Sequence, residues 1–460
     1  MMPRLGTAAT LLSLLLATAC AAPRTSDTIT RAAAQPGPQA PLPVMKRFTG
    51  SRPTPPTTAN ADIARDFLDL SFALEDGRAL PVLTRFEGPI TLRVTGAPAP
   101  TLDHDLDQLL ARLRDEAGIS IRRTDRPGAS ITVEAITRND INTYVPRAAC
   151  FVAPNVGSLM EYRLTRRTSR VRWSRMQERR RIAVFVPADA SPQELRDCLH
   201  EELAQALGPL NDLYRLPDSV FNDDNMHTVL TGYDMLILRL YYDPALASGQ
   251  SRAEVAAHLP ARLAALNPAG EDLPPRPLAP APRDWIAATE TSIALTSMPA
   301  ERYRAAVRAL DIARAQGWTD HRRAFSHYIL GTQLQVVAPE AARDHFLAAN
   351  HYYGDRADTA LHRAYVAAQL ATGALDRDRP REALSLVRPQ FAVARRHENA
   401  ALLSTLMLLQ AEALARTGRP VRARQVRLDS LGWARYGFGP DWAVHAKARE
   451  IAALSPARSF

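Results

Sequence analysis

Lysine is nearly absent from this 460-residue chain: only Lys46 and Lys447 occur, so arginine carries almost all of the positive charge behind the net +9. That balance permits contact with an anionic surface without specifying one. Cysteine is also scarce. Three residues exclude a disulfide-dense mini-fold and a four-cysteine zinc site within one chain. No stretch reaches 18 consecutive apolar residues, so no membrane span is expected. What is present is ordinary for a globular protein: 46% hydrophobic and 23% charged residues, enough to exclude a wholly disordered chain. Length suggests about three units. Proline is in excess, at 35 residues, or about 8% against a usual ~5%, and is expected to mark linkers.

Arg4 precedes an apolar run from Leu5 to Ala17, ending Leu14-Leu15-Leu16-Ala17-Thr18-Ala19-Cys20. The run is too short to cross a bilayer and fits the core of an export signal. Small residues directly before Cys20 resemble a bacterial lipobox, which implies lipidation at Cys20. Ala17 stands where that pattern usually has leucine, and ordinary cleavage at an Ala-x-Ala site is the alternative. Residues 21–58, rich in Pro, Ala and Thr, read as a disordered tether.

Residues 59–267 mix helix and strand signals. Helices are expected over Ile63–Phe72 and Asp103–Ala117, and strands at Ile90–Val94, Ile119–Ile121, Ile131–Val133 and Ile182–Val186, the last the most apolar. Sheet early and helices late argue for an α+β domain. A proline cluster over 268–283 marks a linker. Beyond it, over 284–455, β signals vanish. Pro299, Pro339, Pro380 and Pro420 recur every 40 or 41 residues, each expected to open an Ala-rich helix. The stretch Leu414-x-x-x-Gly418-x-x-x-x-Ala423 resembles the small-residue contacts of tetratricopeptide repeats. The resemblance implies an all-α array of stacked hairpins with a groove for protein or peptide; a nonrepeating helical bundle is the alternative.

Residues 191–212 carry the chemistry. Ser191 and Glu194 form a capping box, Pro192 lies in the first turn, and Gly208-Pro209 stops the helix. Glu201, Glu202, Gln205, Gly208 and Asn211 occupy positions 1, 2, 5, 8 and 11 of a pattern that resembles the metzincin motif His-Glu-x-x-His-x-x-Gly-x-x-His. Met226 stands where such an enzyme places its Met-turn, and Thr231-Gly232-Tyr233-Asp234 precedes an apolar helix ending Leu240-Tyr241-Tyr242-Asp243-Pro244. Residues from about 60 to 267 resemble the bacterial lipoprotein family known as domain of unknown function 2927. The resemblance implies a zincin-like domain in which Glu202 holds the general-base position. All three zinc histidines are replaced, by Glu201, Gln205 and Asn211, and amides are poor zinc ligands. No cofactor is therefore expected; a non-zinc divalent metal held by Glu201, Gln205, Asn211 and Asp212 is the alternative.

In an exported chain Cys150 and Cys198 are expected to pair. Nine arginines (Arg163, Arg166, Arg167, Arg170, Arg172, Arg175, Arg179, Arg180 and Arg181) lie in nineteen residues with Glu178 the one acid, and read as an exposed loop or hairpin. They suit an anionic envelope surface or are simply solvated; export argues against nucleic acid. Together these readings describe a lipid-anchored protein of the bacterial envelope, periplasm-facing or outer-membrane, with a degenerate protease-like domain and a peptide-binding array. The competing reading is an active metal-dependent hydrolase with Glu202 as base.

Overall fold

Short apolar strands can be buried on both faces only if helices cover both, and this sequence supplies the helices. The computed structural model describes residues 41–50, 54–146, 148–294 and 296–454. The described residues from Pro43 onward form one compact unit, to which Pro41 and Leu42 do not belong. The expected signal and Cys20 lie outside the described residues.

The elements of the sheet-bearing part, in order, are α1 (Asn60–Ser71), β1 (Ile90–Gly96), α2 (Leu102–Asp115), β2 (Ile121–Arg123), β3 (Ile131–Ile136), α3 (Arg138–Tyr144), β4 (Phe151–Pro154), α4 (Leu159–Thr165), β5 (Ile182–Pro187), α5 (Pro192–Leu207), α6 (Gly232–Tyr241) and α7 (Arg252–Leu266). Strand order is β2-β1-β3-β5-β4. All ladders are parallel except β4 against β5. This corrects the α+β expectation: parallel neighbours need crossovers, α2 makes one between β1 and β2, and the unit is α/β. On β5, Ile182, Val184 and Val186 join the large core with α1, α2, α5, α6 and α7, whereas Ala183 and Phe185 pack on the other face with Ile141 of α3 and Tyr162 of α4. All six residues of β5 are buried, as a strand covered on both faces requires.

The helical part follows: α8 (Arg283–Ile293), α9 (Pro299–Ala315), α10 (His321–Leu334), α11 (Pro339–Tyr353), α12 (Ala360–Asp376), α13 (Pro380–Val387), α14 (Gln390–Arg396), α15 (Ala400–Arg416), α16 (Pro420–Phe438) and α17 (Asp441–Ala452). Pro299, Pro339, Pro380 and Pro420 each sit in a first turn, where a missing N–H costs nothing. Trp285, Leu310, Phe325 and Ile329 centre the core of α8–α10, and Leu361, Leu403, Leu406 and Leu409 that of α12 with α15. Among the described residues no helix is long and apolar enough to cross a membrane.

Two proline-rich stretches are fastened to the helices. The segment over 268–283 is held by Arg276 N–H donating to Asp62 Oδ2 at 2.6 Å, and by its Arg276 and Ala279 carbonyls accepting from Arg65 and Arg322. Of the expected tether, residues 43–50 lie along α16. Lys46 N–H donates to Gly432 O at 2.9 Å, Lys46 pairs with Asp429, Arg435 donates to Pro43 O at 3.0 Å, and Phe48 stacks on Trp433 with centroids 4.6 Å apart. A Cβ at Gly432 would stand 3.0 Å from Val44 O, so glycine lets this strap lie close.

Candidate functional site

Of the capping box expected at the start of helix α5, half forms, because the Glu194 side chain pairs with Arg138 at 2.6 Å instead of returning to Ser191 N–H. The Ser191 side chain accepts from Glu194 N–H at 3.2 Å, and the helix stops at Gly208, where a Cβ would meet the Tyr241 ring at 2.8 Å. Its last turn leaves orphan carbonyls. Arg179, 2% exposed, satisfies two of them, donating to Gln205 O and Gly208 O beneath the Trp173 ring. A cation there also meets the negative end of the helix dipole. Cys198 bonds Cys150, with Cα atoms 5.9 Å apart, and so ties the middle of α5 to the residue before β4.

The chain leaving α5 is latched onto α1. Leu210 N–H donates to Leu70 O at 3.1 Å, Asn211 Nδ2 to Asp69 O at 3.0 Å, and the Arg215 guanidinium to Asp66 and Asp69 at 2.7 and 2.6 Å. Arg215 and Asp66 side chains are each 2% exposed. The amide of Asn211 is thereby committed to backbone.

The other motif positions join a carboxyl cluster. Gln205 and Asp212 are within hydrogen-bonding reach of Glu75, in the loop after α1. Tyr214 donates its hydroxyl to Asp223 at 3.1 Å. Burial, then the neighbouring Asp223, Glu75 and Asp197, push the Glu201 carboxyl up to about 8. Burial, then Glu201 and Glu75, raise the buried Glu202 well above the carboxylate range, and its Oε2 has no hydrogen-bond partner. Asp212 is raised well above that range by burial, then Glu75, and Asp223 to about 7 by burial, then Glu75. Carboxyls packed this closely disfavour one another's charged form. No three His, Cys, Asp or Glu ligand atoms of this cluster lie within 4.8 Å of one another. The donor set therefore does not fit the zinc that the motif's resemblance implies.

His200 is structural: buried, with Nδ1 accepting from Leu230 N–H at 3.2 Å. Met226 is buried in the core of Tyr214 and Trp285, its N–H donating to Asp224 Oδ1 at 3.0 Å. The arginine run forms no hairpin but a short helix and two 3₁₀ turns. Arg163, Arg166, Arg167, Arg170, Arg172, Arg175 and Arg180 are exposed and Arg181 half-buried. Arg170 and Arg181 share Glu161, and Arg180 pairs with Glu178. Arg179 is the correction to the expected anion-binding set, being spent on the end of α5. Sequence reading also missed Glu75, Asp223 and Arg215 beside the motif; the Asp223-Asp224 pair was the available signal, while Glu75, 126 residues before Glu201, offered none.

No curated protein and no solved structure matches the chain. The segment that carries the sheet and the motif helix, residues 60–261, matches the family described as protein of unknown function (DUF2927).

Proposed function

We propose that this chain is a noncatalytic envelope protein: an exported lipoprotein anchored at Cys20, whose sheet-bearing part is a zincin-like pseudo-protease and whose helices form a tetratricopeptide-like, peptide-binding array. The observation that carries the reading is the use made of the former ligand positions. Asn211 holds the backbone of Asp69, Gln205 reaches Glu75, and Glu201 stands among other acids. A zincin-type peptidase needs a cation that lowers the pKa of bound water towards ~7, and this donor set offers it no imidazole. A groove of about 410 Å³ beside Arg276, Asp320, Tyr352, Tyr353 and Arg356 supports capture of a peptide by the helical part. Seven exposed arginines support contact with an anionic envelope surface.

The competing hydrolase reading draws on one feature, the unpartnered Oε2 of Glu202. Glu202→Gln separates the two. In cells lacking the native gene, the full-length variant is expected to restore the wild-type phenotype completely; a folded variant that fails to do so makes Glu202 a working base and sinks the pseudo-protease reading. Anchorage has its own test. Cys20→Ser is expected to move the protein from the membrane fraction to the soluble one, and a variant that still sediments with membranes places the anchor elsewhere.

A further inference from the structure

Outside the carboxyl cluster, the loop after α5 meets α12 and α14 at a group of imidazoles. Asp218 and His227 come from that loop, His362 from α12, and His397 caps α14. One ligand-type atom each from Asp218, His227 and His397 lie within 4.8 Å of one another, the one such group among the described residues. His227 Nδ1 is 3.8 Å from Asp218 Oδ1, and the His227 ring centre lies 5.0 Å from that of His397 and 5.5 Å from that of His362.

Two further observations point to a missing ligand. The His227 side chain is 2% exposed, yet its Nε2 has no hydrogen-bond partner, and a desolvated polar atom left unpaired is unfavourable. His362 is fully buried; its Nε2 lies 2.8 Å from Asp224 Oδ2 while its Nδ1 has no partner. With Nε2–H given to the carboxylate, Nδ1 is left a bare lone pair. A carboxylate holding one nitrogen of an imidazole whose other nitrogen is bare is the outer-sphere pattern of metal-bound histidine.

We infer that Asp218, His227 and His397 form a site for a divalent cation of the zinc class, with His362 as its fourth ligand. Imidazoles and one carboxylate are the donors that zinc accepts, whereas calcium and magnesium take oxygen sets. Bonds of about 2.0–2.2 Å in a tetrahedron set ligand atoms roughly 3.4 Å apart. Asp218, His227 and His397 must contract by about an ångström to meet this, and His397, only half-buried, has room to move; His362, outside the 4.8 Å group, must move further to join them. Four protein ligands close the coordination sphere, the arrangement of structural sites. Such an ion would clip the loop that follows the motif helix to α12 and α14, joining the family segment to the helical part. It shares no residue with the Glu201 cluster, so it leaves the pseudo-protease reading untouched.

The test is zinc chloride titrated calorimetrically into metal-stripped, full-length protein, with zinc content checked by elemental analysis. One zinc per chain is expected, with no heat from calcium chloride. His227→Ala and His397→Ala should each weaken binding by about 100-fold or more, and Asp224→Asn by about 10–100-fold, the usual contribution of an outer-sphere partner. Glu201→Ala should bind zinc as wild type does. Circular dichroism checks each fold; should the buried His227 variant not fold, the half-exposed His397 variant decides. Absence of zinc uptake by wild type, or unchanged affinity in folded His397→Ala, overturns the site. Zinc lost in Glu201→Ala but kept in His397→Ala would overturn it too, and the pseudo-protease reading with it.

Discussion

Replacing Cys150 and Cys198 together by alanine is expected to lower the free energy of unfolding by about 4 kcal/mol, which is the loop-closure entropy that a bond across 48 residues removes from the unfolded chain. The effect should be local before it is global. β4 has four residues and a single neighbour, β5, so the edge it forms depends on what fastens its ends. The bond supplies that fastening from the middle of α5, where Cys198 is buried among Leu195, Leu199 and Leu203. In the variant, amide exchange should accelerate at Phe151–Ala153 before other strands open. Urea unfolding of the full chain, oxidised and variant, gives the magnitude. A difference below about 1 kcal/mol would mean that the unfolded chain is already constrained over this interval.

Arg215→Met is expected to cost about 3 kcal/mol, at the lower end of what breaking a buried ion pair costs. The guanidinium bridges Asp66 and Asp69 on α1, and both pair members at Asp66 are buried. Asp69 keeps Arg252 and a partly open surface, so its loss is modest. Asp66 keeps only Arg65 and a long contact from Tyr233 at 3.4 Å. Burial already raises the Asp66 carboxyl above its ordinary value against the opposing Arg215 and Arg65 charges, and removing Arg215 raises it further. A raised folded-state pKa means stability that is present at low pH and lost as pH climbs through that value. The deficit of the variant should therefore be larger at pH 8 than at pH 4.5. Unfolding measured at both values checks the sign, and a deficit that grows on acidification would contradict the assignment of the penalty to Asp66.

What could be read from the chain followed from local chemistry. Helix α5 was legible at both ends because Ser191, Glu194, Pro192 and Gly208 each act within one turn. Strands β1, β3 and β5 were legible from alternation or from a continuous apolar run. β4 was not, because Phe151–Pro154 is too short to show a period, and parallel pairing was not, because no residue announces its neighbour across a sheet. The motif positions were recognised, but their partners were not: Glu75 and Asp223 reach them only through tertiary structure. Arg179 looked like its eight neighbours in a charge run, and only the fold aims it at the carbonyls of Gln205 and Gly208. The histidine cluster is the extreme case, with His227, His362 and His397 separated by 135 and 35 residues and carried by no motif.

The strap over residues 43–50 bears on mechanics. It crosses α16 through a backbone hydrogen bond, two arginine or lysine contacts and a stacked aromatic pair. If the protein hangs from Cys20, the 23 residues from there to Pro43 span at most about 80 Å. Any pull on that leash arrives at α16 and, through Phe48, whose carbonyl accepts from Gln108 at 3.4 Å and whose ring lies 6.0 Å from the Arg196 guanidinium, at α2 and α5 as well. Thermal jostling between membrane and protein would thus be spread over α16, α2 and the motif helix at once, with Phe48 as the point where the three share the load.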